Sequence, residues 1–458
     1  KTMAGLGRGM GETGRLSPEG VDAAMRTLRR FCALLDARDV SDRRAVATAA
    51  VRDAVDGPDF IARVRRATGL EIEVLDGAEE GRLSALGVLA GVGDAHGIAG
   101  DLGGSSLELT PVSGRRASDA ISLPLGPLAV FDEPPYRIAD AKAAVDEALD
   151  RAGDMLEASG PTFYAVGGAW RAFARLSMAR GGHPLGVLHQ YAMTREEVIR
   201  IADFAAQVTE ASISDTPGVP SKRAATLPYA AHLLRRILKR GKFERVVFSA
   251  YGLREGVAFS REPRLITHGD PLIAGAEALA RAASPEPGFG AALARWLEPV
   301  CEGEAPIFSK PIDARLRAAA CRLADLGARM HPDHRADLAA TQVLYAPFAG
   351  AEHEERAFLA LSLHHRYAGK KTRDETCPSR RLLDESGEEA ALRLGLALRL
   401  GAALSGRSQA LLDAFRLERT GRELVLRVDP GREDLVVERA LSRFESLADA
   451  FGLSAKVI

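Results

Sequence analysis

The stretch "AGDLGGSSLELTPV", residues 99–112, puts Asp101 at the end of an apolar step, drops the side chains at Gly103 and Gly104, and resumes an alternating apolar run at Leu107, Leu109 and Val112. It reads as two strands joined by a short glycine loop. Two uses fit it. One is an ordinary hairpin turn. The other is a loop whose unobstructed backbone N–H groups form an anion-binding concavity, with Asp101 directed at a cation and Glu108 reaching the same cavity.

Upstream, "GLEIEVLDG" alternates Ile72 and Val74 with Glu71 and Glu73, and ends at an Asp-Gly turn. A helix, "AEEGRLSALGVLAGV", follows with Glu79 and Glu80 in its first turn. Two acids there suit the positive end of the helix dipole. A general base that orients water for attack on phosphorus would also be an acid in reach of a cleft. Adjacent helical residues diverge by about 100°, so only one of the pair faces any one cleft.

Further out, Ser17 and Pro18 start a helix with Val21, Ala24, Met25, Leu28, Cys32 and Leu35 on one stripe, and "RRAVATAAVRDA" reads as a strand feeding a helix. "FYAVGGAWRAFARL" and "ERVVFSAYGLREG" each read strand, glycine turn, helix, and Thr194 with Glu197 forms a capping box. Strands alternating with helices over residues 40–260 imply an α/β architecture. "ASPEPGFG" (283–290) has the composition of a linker or long turn, 312–404 is helical in pattern, and "AFRLERTGRELVLRVDPG" predicts a hairpin before an amphipathic helix carrying Leu435, Leu441, Phe444, Leu447 and Phe451.

At 458 residues the chain is long enough for about two to four domains. The 61 basic and 62 acidic side chains leave a net charge of −1, so no overall field draws the chain to nucleic acid, and any polyanion is held by a local patch. No apolar run is long enough for a membrane span. The four cysteines form no CxxC pair, which suggests a reducing, cytoplasmic setting and no zinc site.

Six ordered blocks carry a resemblance: "ATAAVRDAVDGPDFIARVRRATGLEIEVLDGAEEGRLSALGV", "DLGGSSLEL", "SLPLG", "AVGGAWRAFARL", "SKRAATLPYAAHLL" and "VFSAYGLREG". Together they resemble the exopolyphosphatase/guanosine pentaphosphate phosphohydrolase family over residues 1–262, and more loosely beyond. The resemblance implies an α/β class with a duplicated actin-like, ribonuclease H-like two-lobed fold. An all-α domain related to His-Asp phosphohydrolases and a small α+β C-terminal domain would follow. The corresponding boundaries are 1–92, 93–264, 265–402 and 403–458. It further implies Mg²⁺-dependent hydrolysis of the terminal phosphoanhydride of inorganic polyphosphate, or of guanosine pentaphosphate, and it leaves a homodimer and guanosine tetraphosphate binding open. A non-catalytic polyphosphate or alarmone sensor and an ATP-using enzyme are the competing classes.

Position by position, the resemblance gives Glu80 as catalytic base beside Glu79, and Asp101 and Glu108 as acidic metal-side residues. Gly103, Gly104, Ser105 and Ser106 match its phosphate loop, and Arg52 and Arg223 its arginines. Gly167 and Gly168 match a turn on the second lobe that either contacts ligand or only packs, and Arg171 and Arg254 are further candidate cations. Three departures stand out. Ser105 replaces a glycine of the usual loop, which would restrict any left-handed backbone there. "KRAATLPYA" differs from the commoner "RADLLPAG", and a first phosphate loop would lie upstream of Lys1. The helical region holds His331, His334, His364 and His365 but no His-Asp dipeptide, which implies a relative of that domain without its metal. His364, His365, Arg366, Lys370, Lys371 and Arg373 read as a basic strip able to guide an incoming chain.

Overall fold

The computed structural model describes residues 2–131 and 138–458. They fall into two compact units, one ending at Gly269 and the other running from Asp270 to Ile458.

The first unit begins with α1 (Pro18–Asp36), where Ser17 Oγ accepts from the Gly20 amide at 3.2 Å. Its Ala24 and Met25 pack with Phe60 and Val64 of α2 (Gly57–Thr68). Here β1 (Ala45–Ala47) and β2 (Ile72–Val74) pair in parallel. The strand alternation expected through Val74 breaks one residue early. Val74 is 39% exposed and Leu75 is buried instead, because β2 ends there and the Leu75 amide bonds the Ala47 carbonyl at 2.9 Å.

The larger sheet follows α3 (Gly77–Val92). Its strands are β3 (Ala95–Leu102), β4 (Leu107–Gly114), β5 (Arg116–Ala117), β6 (Ile121–Leu123), β7 (Thr162–Gly167), β8 (Tyr191–Thr194) and β9 (Arg245–Phe248), in the order β5-β4-β3-β7-β9-β8 with β6 also on β4. The quoted stretch forms the β3–β4 antiparallel hairpin, β7 and β9 extend it in parallel, and β8 closes it antiparallel. Successive strand residues point to opposite faces, and the packing follows. Ile98, Leu102, Phe163, Ala165 and Phe248 meet α4 (Gly168–Gly181) and α5 (Leu227–Arg240), whose Trp170, Phe173, Tyr229 and Ile237 are fully buried. Trp170 Nε1 donates to the Ala230 carbonyl at 2.9 Å. On the other face Ala99, Val112, Tyr164, Val166 and Val247 meet Ala85, Val88 and Leu89 of α3.

Glycines let α3 approach this closely. Added Cβ atoms would meet Ser122 Cβ at 2.4 Å from Gly77, Thr110 Oγ1 at 3.0 Å from Gly81, and the Gly252 carbonyl at 2.1 Å from Gly87. The Gly87 contact seats α3 against α6 (Leu253–Phe259), whose Gly256 in turn lies on Leu83.

The second unit is helical from Pro271 to Ser405, and the Pro/Gly stretch 283–290 is a turn between two of its helices. Trp296 Nε1 donates to the Phe415 carbonyl at 2.9 Å. The tail forms the hairpin β10 (Phe415–Thr420) and β11 (Glu423–Val428), with β12 (Ser454–Val457) parallel to β11. The helix Glu438–Ala450 buries Phe444 and Leu447 but leaves Leu441 37% exposed, because the helix presents a narrower apolar stripe than the periodicity implied.

Gly87→Ala should lower the unfolding midpoint of the full chain, at a cost of about 1–3 kcal/mol from overpacking. Gly153→Ala, where a Cβ meets nothing within 4 Å, should be neutral or slightly stabilising. Equal midpoints for both variants in a urea titration would contradict the tight helix–helix seat.

Candidate active site

Asp76 caps α3 by accepting from the Glu79 amide at 2.8 Å. That cap fixes which of the two adjacent acids turns inward. Glu79 lies outward, both carboxylate oxygens bonded to Arg82 at 2.7 Å, and that pairing holds its pKa below the usual value. Glu79 is therefore engaged in an i,i+3 ion pair with Arg82. Glu80, one step round the helix, is 8% exposed.

Asp101 and Glu108 are directly opposed in the β3–β4 register, so their side chains share a face. By strand alternation it is the face that α3 covers. Ser84, one turn after Glu80, donates to Asp101 Oδ2 at 2.6 Å, and Ser122 donates to Glu108 Oε1 at 2.8 Å. Glu80, Asp101 and Glu108 thus form one electrostatic cluster. Burial, then the charges of Glu108 and Asp101, push Glu80 up to about 8, against the opposing pull of Arg52 and a Thr48 hydrogen bond. Burial likewise lifts Glu108 to about 7, with Ser106 and Ser122 hydrogen bonds working the other way. Among the described residues, Glu80 Oε2 and Glu108 Oε2 are buried without a hydrogen-bond partner.

Arg52 stands beside Glu80 at this corner. Its Nη1 is 3.7 Å from Glu80 Oε2 and bonds the Leu75 carbonyl at 3.0 Å, while Nε pairs with Asp53. The glycine loop closes with the Gly103 amide on the Ser106 carbonyl at 2.9 Å. None of its four residues has positive φ, so Ser105 sits there without the strain its side chain suggested. What the loop requires is room behind it. A Cβ on Gly126 would lie 2.3 Å from Ser105 C, and the Leu128 amide bonds the Gly104 carbonyl at 2.9 Å.

Across the sheet, Gly167 has φ 112° and a Cβ there would meet the Leu102 carbonyl at 2.4 Å. The Arg223 guanidinium lies over Gly168, with Nη2 2.6 Å from the position of a Cβ. Arg171 donates to the Gly167 and Ala250 carbonyls; burial lowers its pKa and the charge of Asp101 opposes that shift. Gly252 brings the turn before α6 to Asp101, a Cβ there falling 3.7 Å from Oδ2. Arg254 is exposed beside Glu255. Sequence reasoning missed Ser84, Ser122, Thr48 and Gly126. Of these, Ser84 had a spacing signal, i,i+4 from Glu80, and Ser122 and Gly126 bound the block "SLPLG" without a role being read from it.

The expected basic strip is not a surface strip. His364, His365 and Arg366 are buried, because the helix His353–Ala368 is enclosed nearly all round. Burial drives His365 down to about 4 and lowers His364 as well. Arg373 pairs with Asp337, and Lys370 with Asp449. Among the described residues, no three or more His, Cys, Asp or Glu side chains form a metal cage in either unit.

The buried carboxylates carry a stability signature. The folded pKa values of Glu80 and Glu108 lie above the ordinary glutamate value of 4.5, so the folded state keeps protons that the unfolded state sheds. Their contribution is fully present below about pH 4.5 and is lost as pH rises through about 7 to 8. In chelating buffer the urea midpoint should therefore carry a falling component across that window, and Glu108→Gln should flatten it. Superimposable pH profiles for the wild type and the variant would count against the cluster.

Comparison with known proteins follows the same division of the chain. Residues 1–265 match the Ppx/GppA phosphatase family and residues 272–458 match the family "Exopolyphosphatase, C-terminal". Exopolyphosphatase 1 of Mycobacterium leprae (strain TN) is 29% identical over 54% of this chain and 75% of its own length. Retrograde regulation protein 2 of Saccharomyces cerevisiae is 26% identical over 80% of this chain and 67% of its own. The crystal structure of an exopolyphosphatase from Cytophaga hutchinsonii superposes with a TM-score of 0.52 at 24% identity, covering 57% of this chain and 87% of that one. That likeness and the mixed sheet fit the actin-like two-lobed fold. Among the described residues, no helix is long and apolar enough to cross a membrane. With the family match spanning more than half of its length, the chain belongs to the Ppx/GppA phosphatase family.

Proposed function

We propose that the chain is an exopolyphosphatase, a hydrolase that removes the terminal phosphate of inorganic polyphosphate as orthophosphate. The observation that carries this reading is the convergence of Glu80, Asp101 and Glu108 at the foot of the glycine loop. Relatives named exopolyphosphatase support the same assignment.

In this mechanism Glu80 accepts the proton of the attacking water, a role suited to a carboxylate whose proton affinity burial has raised toward neutrality. The amides of Gly104, Ser105 and Ser106 hold the transferred phosphoryl group, while the Gly103 amide closes the loop on the Ser106 carbonyl and Gly126 keeps it seated. Arg52 balances charge beside Glu80, while Arg223 and Arg171 take the following phosphates on the Gly167–Gly168 side. The donor set fits Mg²⁺: Glu108 Oε2 is buried without a hydrogen-bond partner directly opposite Asp101, and this hard cation takes carboxylate oxygens and completes its shell with water and phosphate. Asp101 and Glu108 would hold it, and when bound it supplies neutralisation of the developing phosphate charge.

A cytoplasmic setting belongs to this reading, supported by four cysteines free of disulfides. The second unit is read as a His-Asp-type helical scaffold without its metal, followed by the small β10–β12 domain. A homodimer rests on the family resemblance alone, and sedimentation decides it.

Glu80→Gln should preserve folding and cut phosphate release by about 10²–10⁴, the usual range for general-base catalysis. Glu79→Gln should have little effect, and reversed effects would reassign the base. Gly104→Val should block phosphoryl binding in correctly folded protein, whereas a plain hairpin there predicts unchanged turnover. Release from guanosine pentaphosphate but not from polyphosphate would overturn the substrate assignment.

A further inference from the structure

We propose that a pocket within the second unit, where Arg335, Arg366, Arg399, Arg407 and Arg443 converge beside Tyr367, binds a diphosphate group. The five arginines come from separate segments. Arg335 opens one helix, Arg366 ends another, and Arg399 and Arg443 stand on two more. Arg407 follows the Gly406 cap with φ 73° of its own. No single helical periodicity gathers them, so the cluster is a product of the tertiary fold.

The pocket is short of negative charge. Asp325 is the acid paired to it, and its Oδ1 lies 4.0 Å from Arg366 Nη2, at the outer limit of an ion pair. Arg366 Nε is buried without a hydrogen-bond partner among the described residues. Burial and the neighbouring arginines lower the pKa values of Arg366 and Arg399 and bring Arg443 down to about 10, the direction expected of like charges held together.

The guanidinium groups are also held in place. Those of Arg335 and Arg366 lie 5.4 and 4.8 Å from the Tyr367 ring centre. Arg399 Nη1 donates to the Tyr367 carbonyl, and Arg443 Nη1 to the Arg399 carbonyl at 3.5 Å. Each arginine keeps further N–H groups for an anion, and guanidinium forks suit phosphoryl oxygens. The cavity of about 170 Å³ is smaller than the roughly 300–1,000 Å³ of sites that enclose a drug-sized ligand. It suits a pair of phosphoryl groups, which together carry about three to four negative charges, against five arginines and one aspartate. The source is either free pyrophosphate or the diphosphate of a nucleotide whose remainder stays outside.

Calorimetric titration of the full chain, in EDTA and low salt, decides it with inorganic pyrophosphate, ADP and orthophosphate as probes. Pyrophosphate should bind one-to-one and at least about tenfold tighter than orthophosphate, a difference of about 1.4 kcal/mol. Matching affinity for ADP identifies the diphosphate of a nucleotide, whereas exclusion of ADP identifies free pyrophosphate. Arg443→Gln should weaken pyrophosphate binding about tenfold or more, Arg443→Lys should weaken it less, and Glu80→Gln should leave it unchanged. Relief of like-charge repulsion should also raise the unliganded melting midpoint of Arg443→Gln. No pyrophosphate binding, binding lost in Glu80→Gln, or binding unaffected by Arg443→Gln would overturn the proposal. So would an Arg443→Gln variant that melts below the wild type, since that marks a structural arginine.

Discussion

Burying three acids in one corner is the constraint on which the first unit turns. The β3–β4 register sets Asp101 against Glu108, and the capped start of α3 brings Glu80 to the same face. Uncompensated carboxylates out of water are costly. The surroundings respond with hydrogen bonds from Ser84, Ser106, Ser122 and Thr48, and with the charges of Arg52, 3.7 Å from Glu80, and Arg171. That supply still leaves Glu80 Oε2 and Glu108 Oε2 without a hydrogen-bond partner among the described residues and two pKa values raised toward neutrality, as at functional sites.

The two faces of the sheet are packed differently around this corner. Two helices pack the face that is wholly apolar, while α3 covers the face that carries the acids. Close seating of α3 depends on glycines in a helix that would otherwise favour larger residues. The same economy appears behind the glycine loop, where Gly126 matters for what it lacks.

Much of this was legible in the sequence. Alternation and glycine punctuation located the hairpin, and the 100° step between adjacent helical residues required one of Glu79 and Glu80 to turn away. The choice between them depended on the Asp76 cap and on Arg82, and was carried by family resemblance until the structure placed both. Gly126 and Ser122 were unreadable because their partners lie across the fold. The basic strip failed for a related reason. Consecutive residues such as His364, His365 and Arg366 read as solvated only if their helix is a surface helix, and periodicity cannot see a helix enclosed on all sides. The arginine pocket was invisible because its members are scattered from Arg335 to Arg443.

The chain's two tryptophans divide between the units, Trp170 fully buried against α5 and Trp296 half-buried against β10. Each indole N–H is fixed on a backbone carbonyl at 2.9 Å. Intrinsic fluorescence therefore contains one reporter per unit, with a bluer emission from Trp170 and a redder one from Trp296. A Trp296→Phe chain leaves the first unit alone in the signal, so ligand effects on the two units can be resolved optically without an added label.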